Sequence, residues 1–181
     1  VTPVLNPMAV VEWGFDKRYL GELGTLGIPV VPTEYVTPQD DWTPPAGEFV
    51  LKPCISSGGT DTARYDDHDR DDAVPHMAHL QARGDTVMVQ EYVVAVDQEG
   101  EIAMAFAGGR FTHAVGKGAW LEPRAGIVER LWERQVITPA TPTDRQHEVA
   151  SATVAACALR LIVNRGRRTV ELSANGDSGG T

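Results

Sequence analysis

The chain has 181 residues, 42% of them hydrophobic and 23% charged, the make-up of an ordinary globular protein with enough material for one domain or one two-lobed unit. Its formal net charge of -9 argues against nonspecific binding to nucleic acid, and no apolar run is long enough to span a membrane. The two cysteines, Cys54 and Cys157, have neither metal-ligand nor disulfide-framework spacing, so a reducing, cytoplasmic setting is expected.

Residues 1–15 read as an extended or irregular segment broken by Pro3 and Pro7. Asp16 is placed to cap a helix from Lys17 to about Leu26, on which Tyr19, Leu20, Leu23 and Leu26 share a face. Gly27 ends that helix and Pro29 prevents its continuation. Residues 28–36 read as a proline-flanked strand, hence an edge strand, and 37–47 as a linker. Phe49, Val50 and Leu51 form a short apolar run closed by Lys52 and Pro53, the pattern of a buried strand.

Ser56, Ser57, Gly58, Gly59 and Thr60 follow, so residues 49–65 read as strand, glycine loop, strand. Glycines let main-chain N–H groups converge on an anion with no Cβ in the way. The hydroxyls would add donors, and Lys52 a fixed positive charge. An ordinary Gly-Ser turn beside a surface lysine fits the same residues. The loop lacks the Gly-Lys-Ser/Thr ending of a Walker loop, and no G-x-G-x-x-G is present. Cys54, next to this loop, reads as a small core filler.

Residues 66–72 are an acidic run expected to be a solvated loop and helix start. Asp71 or Asp72 would cap a helix running through His79 to Arg83, closed by Gly84. His76 and His79 share a face of it and read as surface histidines, since a zinc pair would want a third ligand. Residues 86–93 are strand-like and turn polar at Gln90 and Glu91. Residues 101–107 and 110–116 flank Gly108-Gly109, a strong hairpin signal, with Lys117 after the second arm. Residues 119–142 read as loop or edge strand. Thr143 and Gln146 form a capping-box pattern before a helix to about Ala158. Residues 159–163 and 169–172 flank a further hairpin turn, and 173–181 are a small, polar tail.

Strand, glycine loop, strand, helix and then V-M-V-Q-E-Y is an order that resembles the ATP-grasp superfamily. The segments NPMAVVEWGFDKRYL, GIPVVPTEYV and GGRFTHAVGKG resemble its ligases related to glutathione synthetase and the ribosomal-protein glutamate ligases, near the ATP-dependent cyclo-ligase of cycloserine biosynthesis. The likeness runs from Asn6 to Lys117 and decays after about Leu159.

That resemblance implies an α+β fold of two lobes, each with a mainly antiparallel sheet, enclosing a nucleotide cleft. Residues 16–90 would form the lid lobe with the glycine loop, 91–175 the second lobe and 176–181 a loose tail. It implies ATP and Mg2+ as cofactors and a small carboxylate as substrate, phosphorylated and then attacked by a nitrogen nucleophile. By motif, Lys17 resembles the first phosphate-reaching lysine and Lys52 the lysine bridging adenine and phosphate. Ser56, Ser57, Gly58 and Gly59 resemble the mobile lid loop, and Gln90, Glu91, Tyr92 and Val93 the hinge bordering adenine. Asp97 would reach the ribose hydroxyls, and Lys117 would meet the phosphates from the other lobe. No catalytic residue is marked.

The chain departs from the family where magnesium ligands are expected. Ile162 stands where an acid is usual and Ser173 where an asparagine is usual, leaving Glu171 and Asn175 as candidate ligands. The alternative is therefore a catalytically silent or incomplete nucleotide-binding module. The α/β domain that precedes this unit in relatives is not represented, which implies a missing N-terminal domain or a homo-oligomer.

Overall fold

Successive side chains of a strand point to opposite faces of its sheet, and this alternation organises the first layer. The structure is a computed structural model that describes residues 6–128 and 136–165, with side chains through residue 158. Strands β1 (Thr33–Val36), β2 (Phe49–Pro53), β3 (Ala63–Tyr65) and β4 (Val87–Glu91) form an antiparallel sheet in the order β1-β4-β2-β3. Phe49 and Leu51 on β2, Ala63 and Tyr65 on β3, and Val87 and Val89 on β4 face one way. They pack on Ala73, Met77 and Leu80 of helix α3 (Ala73–Ala82) to make the main core. Their alternate neighbours, Val50, Lys52, Arg64 and Gln90, face the opposite side.

Helices α1 (Met8–Phe15) and α2 (Tyr19–Thr25) precede this sheet. Leu23 and Ile28 form a second, smaller cluster with Ala156, against which Trp13, Tyr19 and Val149 pack. After β4, the one-turn helix α4 (Val96–Glu99) leads into a second antiparallel sheet of β5 (Glu101–Ala107), β6 (Arg110–Lys117) and β7 (Ile137–Pro139), with β6 central. Helix α5 (Asp144–Arg165) closes the described chain. Two antiparallel sheets with helices packed beside them make the fold α+β, as expected.

The 101–117 hairpin, the edge position of β1 and the α5 capping box follow the sequence reading. Thr143 N–H donates to Gln146 Oε1 at 2.8 Å and Gln146 N–H to Thr143 Oγ1 at 3.3 Å. Other elements differ from it. Residues 8–15 are helical rather than extended, because Pro7 can precede a first turn and the helix then packs on α5, with Trp13 donating to Glu22 Oε2 at 3.0 Å. The helix after Asp16 starts later, at Tyr19, and Leu26 lies past its end and is 62% exposed. Pro29 and Pro32 withhold donors from the 28–36 stretch, so only Thr33–Val36 pairs.

Asp72 makes no side-chain cap, since α3 is entered through a 3-10 turn at Arg70–Asp72 that satisfies its first amides. The expected strand at 159–163 is the last part of α5. A short apolar run does not distinguish strand from helix, and no breaker separates Ala158 from Leu159, so the growing helix propagates to Arg165. Ile162 is therefore a helical residue and not part of a metal-bearing strand. Glu171, Ser173 and Asn175 lie outside the described residues.

His76 also corrects the surface reading. It falls in the apolar stripe of α3 with Ala73, Met77 and Leu80, is 2% exposed, and sits with Nδ1 2.9 Å from the Tyr65 hydroxyl. His79, its partner on the helix, is exposed. Burial pushes the His76 pKa down to about 4 and the Tyr65 pKa up to about 12. An unfolded histidine takes its proton below about pH 6.5, whereas folded His76 takes it only below about 4. Stability is thus lost as pH falls from 6.5 to 4, by about 3 kcal/mol, and this group adds no further loss below that. Urea unfolding between pH 7 and 4 should show a slope that His76→Gln flattens. Parallel slopes for parent and variant would assign the acid sensitivity elsewhere.

Candidate functional site

The face of the first sheet turned away from α3 carries a cleft of about 650 Å³. Strand parity puts Val50, Lys52 and Gln90 on it, with Val50 and Gln90 directly paired across β2 and β4. Leu20 and Leu23 from α2, then Ile28 and Val30, form an apolar wall. The glycine loop lies at one end, and Glu91, Tyr92 and Val93 lie where β4 gives way to α4. Gln90 is oriented by donating from Nε2 to Thr33 Oγ1 at 2.7 Å.

The two lysines have different settings. The Lys17 ammonium donates to Ser56 O at 2.8 Å, Ser56 Oγ at 3.0 Å and Cys54 O at 3.3 Å. It therefore braces the entry to the glycine loop. Lys52 is half-buried and has no acceptor within hydrogen-bond distance among the described residues. Burial lowers its pKa, the charge of Lys17 lowers it further, and Glu101 works the other way. Burial also lowers that of Lys17. Two cations held near each other in a partly desolvated cleft leave an unmet demand for negative charge.

Gly58 and Gly59 adopt left-handed backbone, with φ of 63° and 78°. Turns close the loop through Thr60 N–H to Ser57 O at 3.3 Å and Thr62 N–H to Gly59 O at 3.1 Å. Residues 118–128, which follow β6, return to this loop. Asp61 N–H donates to Val128 O and Val128 N–H to Thr62 O, both at 2.9 Å. Trp120 lies against Gly59 so closely that a Cβ added there would enter its ring.

Of the residues singled out from sequence, Lys17, Lys52, Ser56, Ser57, Gly58, Gly59, Gln90, Glu91, Tyr92 and Val93 line this one cleft. Asp97 and Lys117 do not. Asp97 is committed elsewhere, since Arg64 donates to its Oδ1 at 2.9 Å and its Oδ2 at 3.0 Å, and the Tyr92 hydroxyl to its Oδ1 at 2.5 Å. The Arg64 hydrogen bonds hold its carboxyl below the usual range. Lys117 ends β6 opposite Glu101.

Glu101 is in the cleft and was missed, as were Trp120 and Leu121. The signal for Glu101 was Gly100 before it. That glycine has φ of 69°, and a Cβ there would collide with the Lys117 carbonyl, so the chain can bring Glu101 in beside β6 only without one. Cys54 is 2% exposed and burial pushes its thiol up to about 11, which rules it out as a nucleophile and fits a core filler. Among the described residues no three His, Cys, Asp or Glu side chains converge as a metal site, and Glu171 and Asn175 lie outside them. No helix of the described residues is long and apolar enough to cross a membrane.

No family model matches the chain. The cycloserine biosynthesis protein DcsG of Streptomyces lavendulae is 37% identical over 172 residues, covering 89% of this chain and 56% of the relative. The crystal structure of D-cycloserine synthetase DcsG aligns at a TM-score of 0.76 and 35% identity, covering 91% of this chain and 58% of that one. A D-alanine–D-alanine ligase from Bacillus anthracis, in a structure complexed with ATP, aligns at 0.60 and 16% identity over 85% of this chain and 48% of that one, a likeness of fold. The chain thus spans little more than half the length of the curated relative it matches.

The contact between the glycine loop and the returning segment is open to a direct test. Gly59→Ala meets two penalties, the left-handed backbone, about 1–2 kcal/mol, and the Trp120 ring. Trp120→Ala removes only the second. Native-state hydrogen exchange at the Thr60 and Thr62 amides should show a coupling of about 1 kcal/mol or more between the two changes. Strict additivity would mean that Trp120 does not restrain the loop.

Proposed function

The chain belongs to the ATP-grasp superfamily, and on that premise we propose that it is the ATP-binding unit of a carboxylate–amine ligase or cyclo-ligase. The observation that carries the proposal is a half-buried lysine with no hydrogen-bond acceptor among the described residues, sharing one cleft with a glycine loop and the polar end of β4.

In this reading the Lys52 ammonium meets the phosphates, and the N–H groups of the glycine loop share their charge. Lys17 acts through the loop it braces. The base lies between the apolar wall and the main chain of Glu91 to Val93, with Gln90 beneath. Glu101 takes the role of reaching the ribose hydroxyls that the family resemblance implied for Asp97. Lys117, at the end of β6 opposite Glu101, lies outside this cleft and has no assigned role in this reading.

The reaction proposed is transfer of the γ-phosphoryl group to a carboxylate oxygen with release of ADP. A nitrogen nucleophile then attacks the acyl carbon and inorganic phosphate departs. Such chemistry asks the protein mainly for positioning and charge neutralisation. The likeness to a D-cycloserine synthetase favours a small substrate of that type. Magnesium, when bound, would neutralise and align the phosphates. The described residues do not by themselves fit it, so Glu171 and Asn175 stand as ligands proposed from sequence, and no step is routed through the ion. The second reading, a module that binds ATP without turning it over, keeps the same cleft.

Calorimetric titration with ATP tests the proposal. Lys52→Ala should weaken binding roughly tenfold to more than a hundredfold, the loss of about 1.5–3 kcal/mol of charge-assisted contact. Lys17→Ala should weaken it less, because that ammonium already has acceptors in the protein. Equal and negligible effects would make both lysines ordinary surface charge. ADP release stimulated by an added acid and amine selects the ligase, and binding without release selects the silent module.

A further inference from the structure

Arg64 has no part in the roles above, although its side chain is only 4% exposed. It stands in β3 opposite Val50, which in turn stands opposite Gln90, so the three form one row across the cleft face of the first sheet. Its guanidinium donates from Nη1 to Asp97 Oδ1 at 2.9 Å and to Leu121 O at 3.2 Å. From Nη2 it donates to Asp97 Oδ2 at 3.0 Å and to Glu48 Oε2 at 2.6 Å. Its Cζ lies 3.5 Å from the centre of the Tyr92 ring. The Tyr92 hydroxyl donates to the same Asp97 carboxylate.

Two of the residues so held, Tyr92 and Leu121, line the cleft, while Arg64, Glu48 and Asp97 do not. Tyr92 belongs to the exit from β4 and Leu121 to the segment that returns from the second sheet. Arg64 touches both. We infer that Arg64 is a positioning residue that sets the spacing between the Tyr92 and Leu121 walls of the cleft, and so the fit of the nucleoside part of the ligand, without touching the ligand itself. The inference rests on the nucleotide reading above.

Only arginine suits this place. Its planar fork serves two carboxylates and a carbonyl at once while its face stacks on the ring. A lysine keeps the charge that offsets Glu48 and Asp97 but has neither the fork nor the plane. Arg64→Lys therefore loosens the two walls relative to each other and leaves the phosphate end, built from Lys17, Lys52 and the glycine loop, as it was.

The test uses the full-length protein and two probes, ATP and inorganic tripolyphosphate, titrated into parent and Arg64→Lys after thermal melting has checked that both are folded. The expected result is ATP binding weakened about tenfold or more, with tripolyphosphate affinity unchanged. Unchanged affinity for both probes overturns the inference. So does an equal loss for both, which is what a merely structural residue would give. A parent that binds no ATP overturns the nucleotide reading, and this inference with it. A parent that binds ATP separates the two ideas. If Arg64→Lys does not fold, Glu48→Gln, which removes the charge from one acceptor outside the cleft, is read by the same criteria with a smaller loss of the same sign.

Discussion

The antiparallel pairing of β2 with β4 is the constraint on which the rest of the molecule depends. Its register sets Val50 against Gln90 and Lys52 against Met88, and a sheet has a side-chain period of two. Phe49, Leu51, Val87 and Val89 therefore go to the core beneath α3. The same register brings Val50, Lys52 and Gln90 to the opposite face. A slip of one residue would bury a lysine and a glutamine under α3 and turn the main core out to water. The apolar packing that stabilises the sheet is thus also what aims the polar groups of the cleft.

A second dependence crosses between the sheets. Residues 118–128 leave β6 and pair with Asp61 and Thr62, beside the glycine loop. They bring Trp120 onto Gly59 and the Leu121 carbonyl to Arg64. The loop that meets the proposed phosphates is therefore held from both directions. Lys17 ties down its entry, and the returning segment backs its far side.

Charge is distributed in the same spirit. The chain is acidic overall, with a net charge of -9, yet the cleft holds Lys17 close enough to Lys52 to add to the effect of burial in lowering the Lys52 pKa, with Glu101 as a local counterweight. Several other carboxylates are engaged by arginines. Glu48 and Asp97 are paired to Arg64, and Asp61 and Asp85 to Arg83. Global acidity and local demand for an anion are compatible because screening in water confines each charge to a short range.

Much of this was legible in the amino-acid order, where a local signal has one meaning. Apolar runs bounded by breakers marked β2 and β4, Gly108-Gly109 marked the β5–β6 turn, and Thr143 with Gln146 marked the start of α5. Lys52, the glycine loop and residues 90–93 could be picked out because each lies at the end of a strand, where backbone and side chain meet a ligand. The sequence was ambiguous where two structures share one pattern. The run at 159–163 suits strand or helix, and only its continuity with α5 decided it. His76 and His79 look alike in the helix repeat, and only the docking of α3 separates a buried histidine from an exposed one. Asp97 and Glu101 lie four residues apart with the same chemistry. Arg64, far away along the chain, engages the first, and the β6 carbonyl passing over Gly100 brings the second into the cleft. Local propensity and periodicity act through neighbours in sequence and were readable there. The choice between like residues was made by partners distant in sequence, which only the packed chain brings together.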